Sequence, residues 1–292
     1  MPDPLSRPAT AMLLAAGRGE RMRPLSDHTP KPMLFVHGKP LMQWAMESMQ
    51  RAGVEDLVVN TAWLAEQIPQ YFGYCFDSAK KPNASERQPM QMHYSNEGAD
   101  FGEALETAGG IIRALPLLAE TFWVAAGDVW MPDFSFSSDA YARFQASHQL
   151  AHIWLVPNPA HNPRGDFGIA FDSPNYLQVS GENQMPPKQS EGLALNLPSD
   201  SLVARWTFST VALYKKAFFQ SAWCDIPAGN PLGVKAPLAP MLRAAMDNGL
   251  VGATLYAQTW SDVGTPERLV EIQVQPVALN YEQLPFNPFK NL

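Results

Sequence analysis

The chain is predicted to fold as an α/β protein built on a doubly wound, mostly parallel sheet. Three features predict this. Short apolar runs alternate with amphipathic stretches four times before residue 130, the pattern that parallel sheets with covering helices require. The first run, Ala11–Ala16, ends abruptly in Gly17-Arg18-Gly19. The last of the four, Phe122–Ala126, runs into Gly127-Asp128. Ligands of such sheets lie outside the carboxyl ends of the strands, so both ends are expected to face one crevice.

The elements follow in order. Residues 1–10 are polar and proline-bearing, which predicts a loose arm. Leu41–Ala52 is amphipathic and stops at Gly53, a helix with a C-terminal signal. Leu57-Val58-Val59 marks a buried strand over Asp56–Asn60. Leu64–Phe72 is expected to be helical up to Gly73, and the polar Asp77–Gln91 stretch an exposed insertion. A strand over Met92–Ser95 precedes a helix over Thr107–Leu118, starting at the Gly109-Gly110 pair.

Beyond residue 130 the order changes, which predicts a small antiparallel part. Tyr141–His148 reads as a helix, and Ala151–Val156, Gly168–Phe171 and Leu177–Val179 as strands, with a Pro174-Asn175 turn before the third. Glu182–Asp200 has four prolines and no period, so a mobile loop or lid is expected. A strand over Trp206–Tyr214, a helix over Lys235–Asn248, a strand over Leu250–Ala257 and a helix over Pro266–Val274 complete one domain, 11–274. A tail, 275–292, follows. No 20- to 50-residue repeat occurs.

With 292 residues, 46% of them hydrophobic, the chain can bury a sizeable core. A net charge of −7 argues against nucleic acid or an anionic membrane as partner. Ala11–Ala16 is too short to span a bilayer and lacks a basic region before it. Cys75 and Cys224 are too few for a disulfide framework and match no metal pattern. A cytoplasmic protein with buried or inert thiols is the expectation. His148-x-x-x-His152 has helical metal spacing, but position 149 is Gln and no third ligand follows, so zinc is not expected.

The chemistry concentrates in residues 12–34. Arg18, Arg21, Arg23 and Lys31 put four cations near a two-glycine turn, and successive backbone N–H groups in such a turn make an anion cradle. A Walker A loop is excluded because no G-K-[ST] follows. A dinucleotide fingerprint is excluded because Met22 stands where the third glycine belongs. What remains is L-A-A-G-x-G-x-R-M-x-P-L, then Pro30-Lys31-Pro32. This long pattern resembles the signature of the sugar-1-phosphate nucleotidyltransferases, with Glu20 where the family usually has Thr.

The resemblance implies a Rossmann-like sheet, with a nucleotide-binding half over 11–130 and a sugar-binding half over 131–274. It implies attack of a sugar 1-phosphate on the α-phosphorus of an NTP, with pyrophosphate leaving. Such a reaction needs cations and alignment more than proton transfer. Arg21 is implied to grip the departing phosphates and Lys31 to neutralise the transferred one. Gly127-Asp128 and Trp260-Ser261-Asp262-Val263-Gly264-Thr265 resemble the family's metal segments, so Asp128 and Asp262 are implied ligands of Mg²⁺. The base is expected against the Ala15, Ala16, Gly17 and Gly19 backbone, edged by Glu97, Thr107 and Gly109.

On the sugar side, Asn158 to Phe167 and Thr207-Phe208-Ser209 resemble the branch that uses UTP and N-acetylmuramate α-1-phosphate in cell-wall recycling. Asn158, Gly165, Asp166, Thr207 and Ser209 are the implied sugar contacts. The lysine of the family's Glu-Lys-Pro segment is missing, since the matching place reads Glu182-Asn183-Gln184. Lys188 or Arg164 is a candidate substitute, and either could receive the lactyl carboxylate of muramate. The alternatives are a mannose-1-phosphate guanylyltransferase or a glucose-1-phosphate thymidylyl- or uridylyltransferase. A silent nucleotide-sugar-binding regulator is the remaining rival, and the presence of Arg21, Lys31 and both aspartates favours an enzyme. A monomer or small homo-oligomer is expected.

Overall fold

The computed structural model describes residues 10–78, 88–171 and 189–275. Most of the expected arm, the centre of the 77–91 insertion, the Leu177–Val179 strand with its Pro174-Asn175 turn, Glu182 to Lys188 and the tail beyond 275 lie outside these residues.

The first half contains β1 (Thr10–Leu14), β2 (Phe35–Val36), β3 (Lys39–Pro40), α1 (Leu41–Arg51), β4 (Asp56–Thr61), α2 (Gln67–Phe72), β5 (Cys75–Phe76) and β6 (Met90–Asn96). Then come α3 (Glu97–Phe101), α4 (Glu106–Ala114), β7 (Thr121–Ala126) and β8 (Val129–Trp130). The second half contains α5 (Ser138–Ala146), β9 (Ala151–Val156), β10 (Gly168–Phe171), β11 (Gln189–Leu195) and β12 (Thr207–Lys215). It ends with α6 (Leu238–Asp247), β13 (Val251–Tyr256), β14 (Ser261–Asp262) and α7 (Pro266–Gln273).

Ten strands form one sheet in the order β10-β11-β13-β9-β12-β7-β1-β4-β6-β5. β7, β1, β4 and β6 run parallel, as do β9 and β13. Only β5, β12 and β11 run against the other seven. The expected antiparallel part is therefore woven into the same sheet.

Both faces of the central strands are covered, which is why they read as unbroken apolar runs. On β1, Met12 faces a core with Ile111 and Ile112 of α4 and Leu242 of α6. Its neighbour Leu13 faces the opposite core, with Met42, Met46 and Met49 of α1 and Phe144 of α5. A third cluster joins Met22, Val36, Leu41, Trp130, Val263 and Ile272. It fastens the glycine loop and α7 to the two-stranded ribbon of β8 and β14.

Three expectations are corrected. Gly109 and Gly110 lie inside α4, which starts at Glu106, because tertiary contacts outweigh the low helix propensity of glycine. The helix expected from Leu64 starts only at Gln67, since Leu64 has a φ of 48°. Part of the expected 182–200 loop is β11, which fills the sheet between β10 and β13. His152 lies on β9, the strand expected over Ala151–Val156, and its Nε2 is 2.8 Å from Thr254 Oγ1. Burial lowers the His152 pKa to about 4, so the ring is neutral. Cys75 is exposed and Cys224 partly buried, and both are free thiols.

Candidate active site

A cavity of about 670 Å³ opens at the carboxyl ends of β1 and β7. Gly17, Lys31 and Asp128 line one part of it, and Asp166, Phe208 and Thr210 another. The two strand ends singled out by the sequence do face one crevice.

The loop after β1 is held by a few specific contacts. Gly19 has a φ of 66°, in the left-handed region that favours glycine. Its carbonyl accepts from Ser26 Oγ at 2.7 Å, and Trp63 Nε1 donates to the Ser26 carbonyl at 2.9 Å. Met22 is fully buried, so the turn Glu20–Met22 is pinned while Arg21 and Arg23 stay exposed on either side. Arg18 stacks on Trp63 at 4.6 Å, and Arg23 pairs with Asp27 at 3.1 Å. Arg21 has no ion pair among the described residues and does not line the cavity.

Lys31 lines the cavity and ion-pairs with Asp128. Its side chain is 14% exposed, and that of Asp128 is 28% exposed. Asp262 is brought beside this pair by the ribbon, in which Asp262 is registered with Val129 and the Val263 N–H donates to the Asp128 carbonyl at 2.9 Å. One Asp262 oxygen, Oδ1, is taken by Arg268 Nη1 at 2.5 Å and by His161 Nε2 at 3.0 Å. Asp262 itself does not line the cavity. No group of three or more metal-ligating side chains occurs among the described residues.

Glu97 lines the cavity and also acts as a strut. It is fully buried. Oε1 accepts from Asn60 Nδ2 at 2.7 Å and Oε2 from the Leu105 N–H at 2.7 Å. Asn60 Oδ1 in turn accepts from the Ala15 N–H at 2.8 Å. This chain of bonds ties the end of β1 to the start of α4. Burial raises the Glu97 pKa, and the hydrogen bonds from Leu105 and Asn60 oppose the rise.

Gly110 makes room for this strut. A Cβ there would lie 2.5 Å from Glu97 Oε1 and 2.8 Å from Asn60 Nδ2. Helix propensity alone would make Gly110→Ala stabilising by about 1 kcal/mol. The clash is expected to win, with a net loss of about 2 kcal/mol, read as a lower urea midpoint. An unchanged or higher midpoint would show that the strut yields. Gly109 has a different role from the one expected. Its Cα faces the backbone of Val234 and Ala236, where a Cβ would lie 2.6 Å from the Val234 carbonyl, and it does not line the cavity. Thr107 does line it.

The sugar-side residues are placed less simply. Asp166 lines the cavity and accepts from the Phe208 N–H at 2.8 Å and from Asn162 Nδ2 at 3.2 Å. Asn158 Oδ1 accepts from Thr207 Oγ1 at 2.9 Å, and Asn158 Nδ2 donates to the Arg205 carbonyl at 2.9 Å. Gly165, with a φ of 62°, lets the loop approach Arg205, where a Cβ would meet backbone at 2.8 Å. Asn158, Gly165 and Thr207 thus close the loop onto β12 and do not line the cavity. Ser209 is fully buried, with its Oγ accepting from the Val211 N–H at 3.1 Å.

The register of β12 against β9 shifts between Phe208 and Ala212, and Thr210 has a φ of 65°. Phe208, Thr210, Ala212 and Tyr214 are the β12 residues on the cavity. The expected contacts therefore fall on the wrong parity, because neighbouring strand residues point to opposite faces. Of the expected substitute cations, Arg164 is exposed and off the cavity, and Lys188 lies outside the described residues. Arg243 of α6, not anticipated, lines the cavity.

The chain belongs to the nucleotidyl transferase family, whose sequence profile matches residues 10–180. It is 39% identical over 269 residues to the N-acetylmuramate α-1-phosphate uridylyltransferase of Neisseria meningitidis serogroup B, covering 90% of this chain and 96% of that one. The enzyme of the same name from Caulobacter vibrioides is 33% identical over 246 residues, covering 82% and 96%. A crystal structure of UDP-glucose pyrophosphorylase complexed with UDP-glucose superposes with a TM-score of 0.64 at 19% identity, covering 91% and 97%, which shows the same fold. No helix among the described residues is long and apolar enough to cross a membrane.

Proposed function

We propose that the protein transfers UMP from UTP to N-acetylmuramate α-1-phosphate and releases pyrophosphate, in the cytoplasmic recycling of cell-wall sugars. The main support is the near-complete overlap with the Neisseria enzyme at 39% identity. The geometry fits this reading. The glycine loop and the Ala15-Ala16 strand end offer backbone to the nucleotide, and Lys31 offers a cation inside the cavity. Lys31 neutralises phosphate charge as the two anions approach, and Asp128 holds its ammonium in position. Arg21, exposed beside the cavity loop, is assigned to the departing pyrophosphate.

Asp128 and Asp262 suit a hard divalent cation. Each has one carboxylate oxygen without a partner among the described residues, and both lie on the same ribbon. They would hold Mg²⁺, which when bound supplies charge neutralisation to the phosphates. The test is pyrophosphate release from each of four NTPs against a panel of sugar 1-phosphates with Mg²⁺. UTP with N-acetylmuramate α-1-phosphate is expected to exceed other pairs by at least ~10-fold, about the value of one good polar contact. A preference for GTP with mannose 1-phosphate would overturn the substrate assignment and leave the family intact.

A further inference from the structure

The cavity has an acidic lining. Glu97, Glu106, Asp128 and Asp166 all border it, and a second anionic group on a ligand would be repelled there unless a cation receives it. Among the described lining residues the cations are Lys31 and Arg243. Lys31 is paired with Asp128 and is the cation assigned above to the phosphate. Arg243 has no carboxylate partner among the described residues.

Arg243 is held in place without being neutralised. Its guanidinium stacks 5.0 Å from the Phe167 ring, and Nη1 donates to Asn196 Oδ1 at 2.8 Å. Asn196 is itself fixed by donating to Asp247 at 3.0 Å. A guanidinium has five donors, so most remain free for a planar, bidentate acceptor such as a carboxylate. Stacking on Phe167 fixes the plane of the fork in advance. The wall around it is apolar, with Phe167, Leu238 and Leu242, which strengthens an ion pair relative to one in water.

Position favours a group remote from the phosphate. Arg243 is on α6, which packs on β11 and β13, whereas Asp128 follows β7. β9 and β12 lie between β13 and β7, so the two strands are roughly 14 Å apart at ordinary strand spacing. A ligand whose phosphate meets Lys31 presents its far end to α6.

We infer that Arg243 determines acceptor specificity by receiving a carboxylate carried by the sugar 1-phosphate on its side away from the phosphate. This rests on the transfer to a sugar 1-phosphate proposed above and replaces Arg164 as the cation for a carboxylate. The test compares kcat/KM for N-acetylmuramate α-1-phosphate, N-acetylglucosamine 1-phosphate and glucuronic acid 1-phosphate, with UTP, in the wild type, Arg243→Gln and Arg243→Lys. The ratio of muramate to glucosamine acceptor is expected to fall roughly 30-fold in Arg243→Gln, the scale of one hydrogen-bonded charge pair. Arg243→Lys, which keeps the charge and the stem on Phe167 but not the fork, should fall between.

Calorimetric binding of UDP-N-acetylmuramate and UDP-N-acetylglucosamine should show the same change in ratio without turnover. An equal loss for all acceptors would place Arg243 on the phosphate or in the fold and overturn the inference. If Arg243→Gln does not fold, an unchanged ratio in Arg243→Lys overturns it equally. A wild type that prefers glucuronic acid 1-phosphate, with that preference lost in Arg243→Gln, would remove muramate as substrate and keep the role of Arg243.

Discussion

Lys31→Ala is expected to lower kcat by at least ~10²-fold, the scale of removing one positioned charge from such a site. Stability should change little. Lys31 pairs with an aspartate whose side chain is 28% exposed, so the carboxylate left behind keeps access to water. With Lys31 only 14% exposed, the cost to the fold is expected at about 1 kcal/mol, the low end for leaving a partly buried charged partner unpaired. Arg21→Ala should likewise lose turnover with an unchanged thermal midpoint, because Arg21 is exposed and unpaired among the described residues. Pyrophosphate release and thermal melts on the same preparations separate the two effects. Activity per folded molecule that stays intact while the midpoint drops would make either residue structural.

Asp128→Asn and Asp262→Asn are each expected to lower kcat by at least ~10²-fold and to raise the Mg²⁺ concentration needed for half-maximal rate. The two differ in their effect on the fold. Asp128 faces Lys31 across the cavity wall, and its replacement leaves the ribbon hydrogen bonds intact. Asp262 also takes Arg268 and His161 on one oxygen, and the Arg268 guanidinium of α7 lies against Gly264. Asp262→Asn should therefore lower the thermal midpoint more than Asp128→Asn does. Arg268→Met is the control. If it reproduces the full activity loss of Asp262→Asn with no change in the Mg²⁺ requirement, Asp262 acts by holding α7. Chelation with EDTA should abolish wild-type turnover and leave the ribbon folded.

Much of this site is legible in the residues because the informative features are local. A glycine at position 19 answers a left-handed turn a few bonds away, and Met22 must be buried for the arginines beside it to be exposed. Strand runs such as Phe122–Ala126 are apolar throughout because both faces are covered, so their ends could be placed from composition alone. The pairing of Asp128 with Asp262 across more than a hundred residues was accessible only because both lie in patterned segments.

The parts that local pattern misplaced depend on contacts distant in sequence. Ser209 reads as a cavity hydroxyl, yet it shares the odd-numbered face of β12 with Thr207 and is fully buried, while Phe208, Thr210, Ala212 and Tyr214 face the cavity. Glu97 lines the cavity as expected, but its bonds from Asn60 and the Leu105 N–H to both oxygens come from segments distant in the chain. Arg243 carried no sequence signal, since an arginine on an amphipathic helix is ordinarily solvated. Sequence by itself thus determined the alternating sheet, the glycine loop and the residues able to bear charge at the strand ends. Only tertiary structure decided which side chains reach the cavity and which are consumed by internal bonds. In a strand, neighbouring side chains take opposite faces, and long-range packing sets which of the two faces meets the cavity.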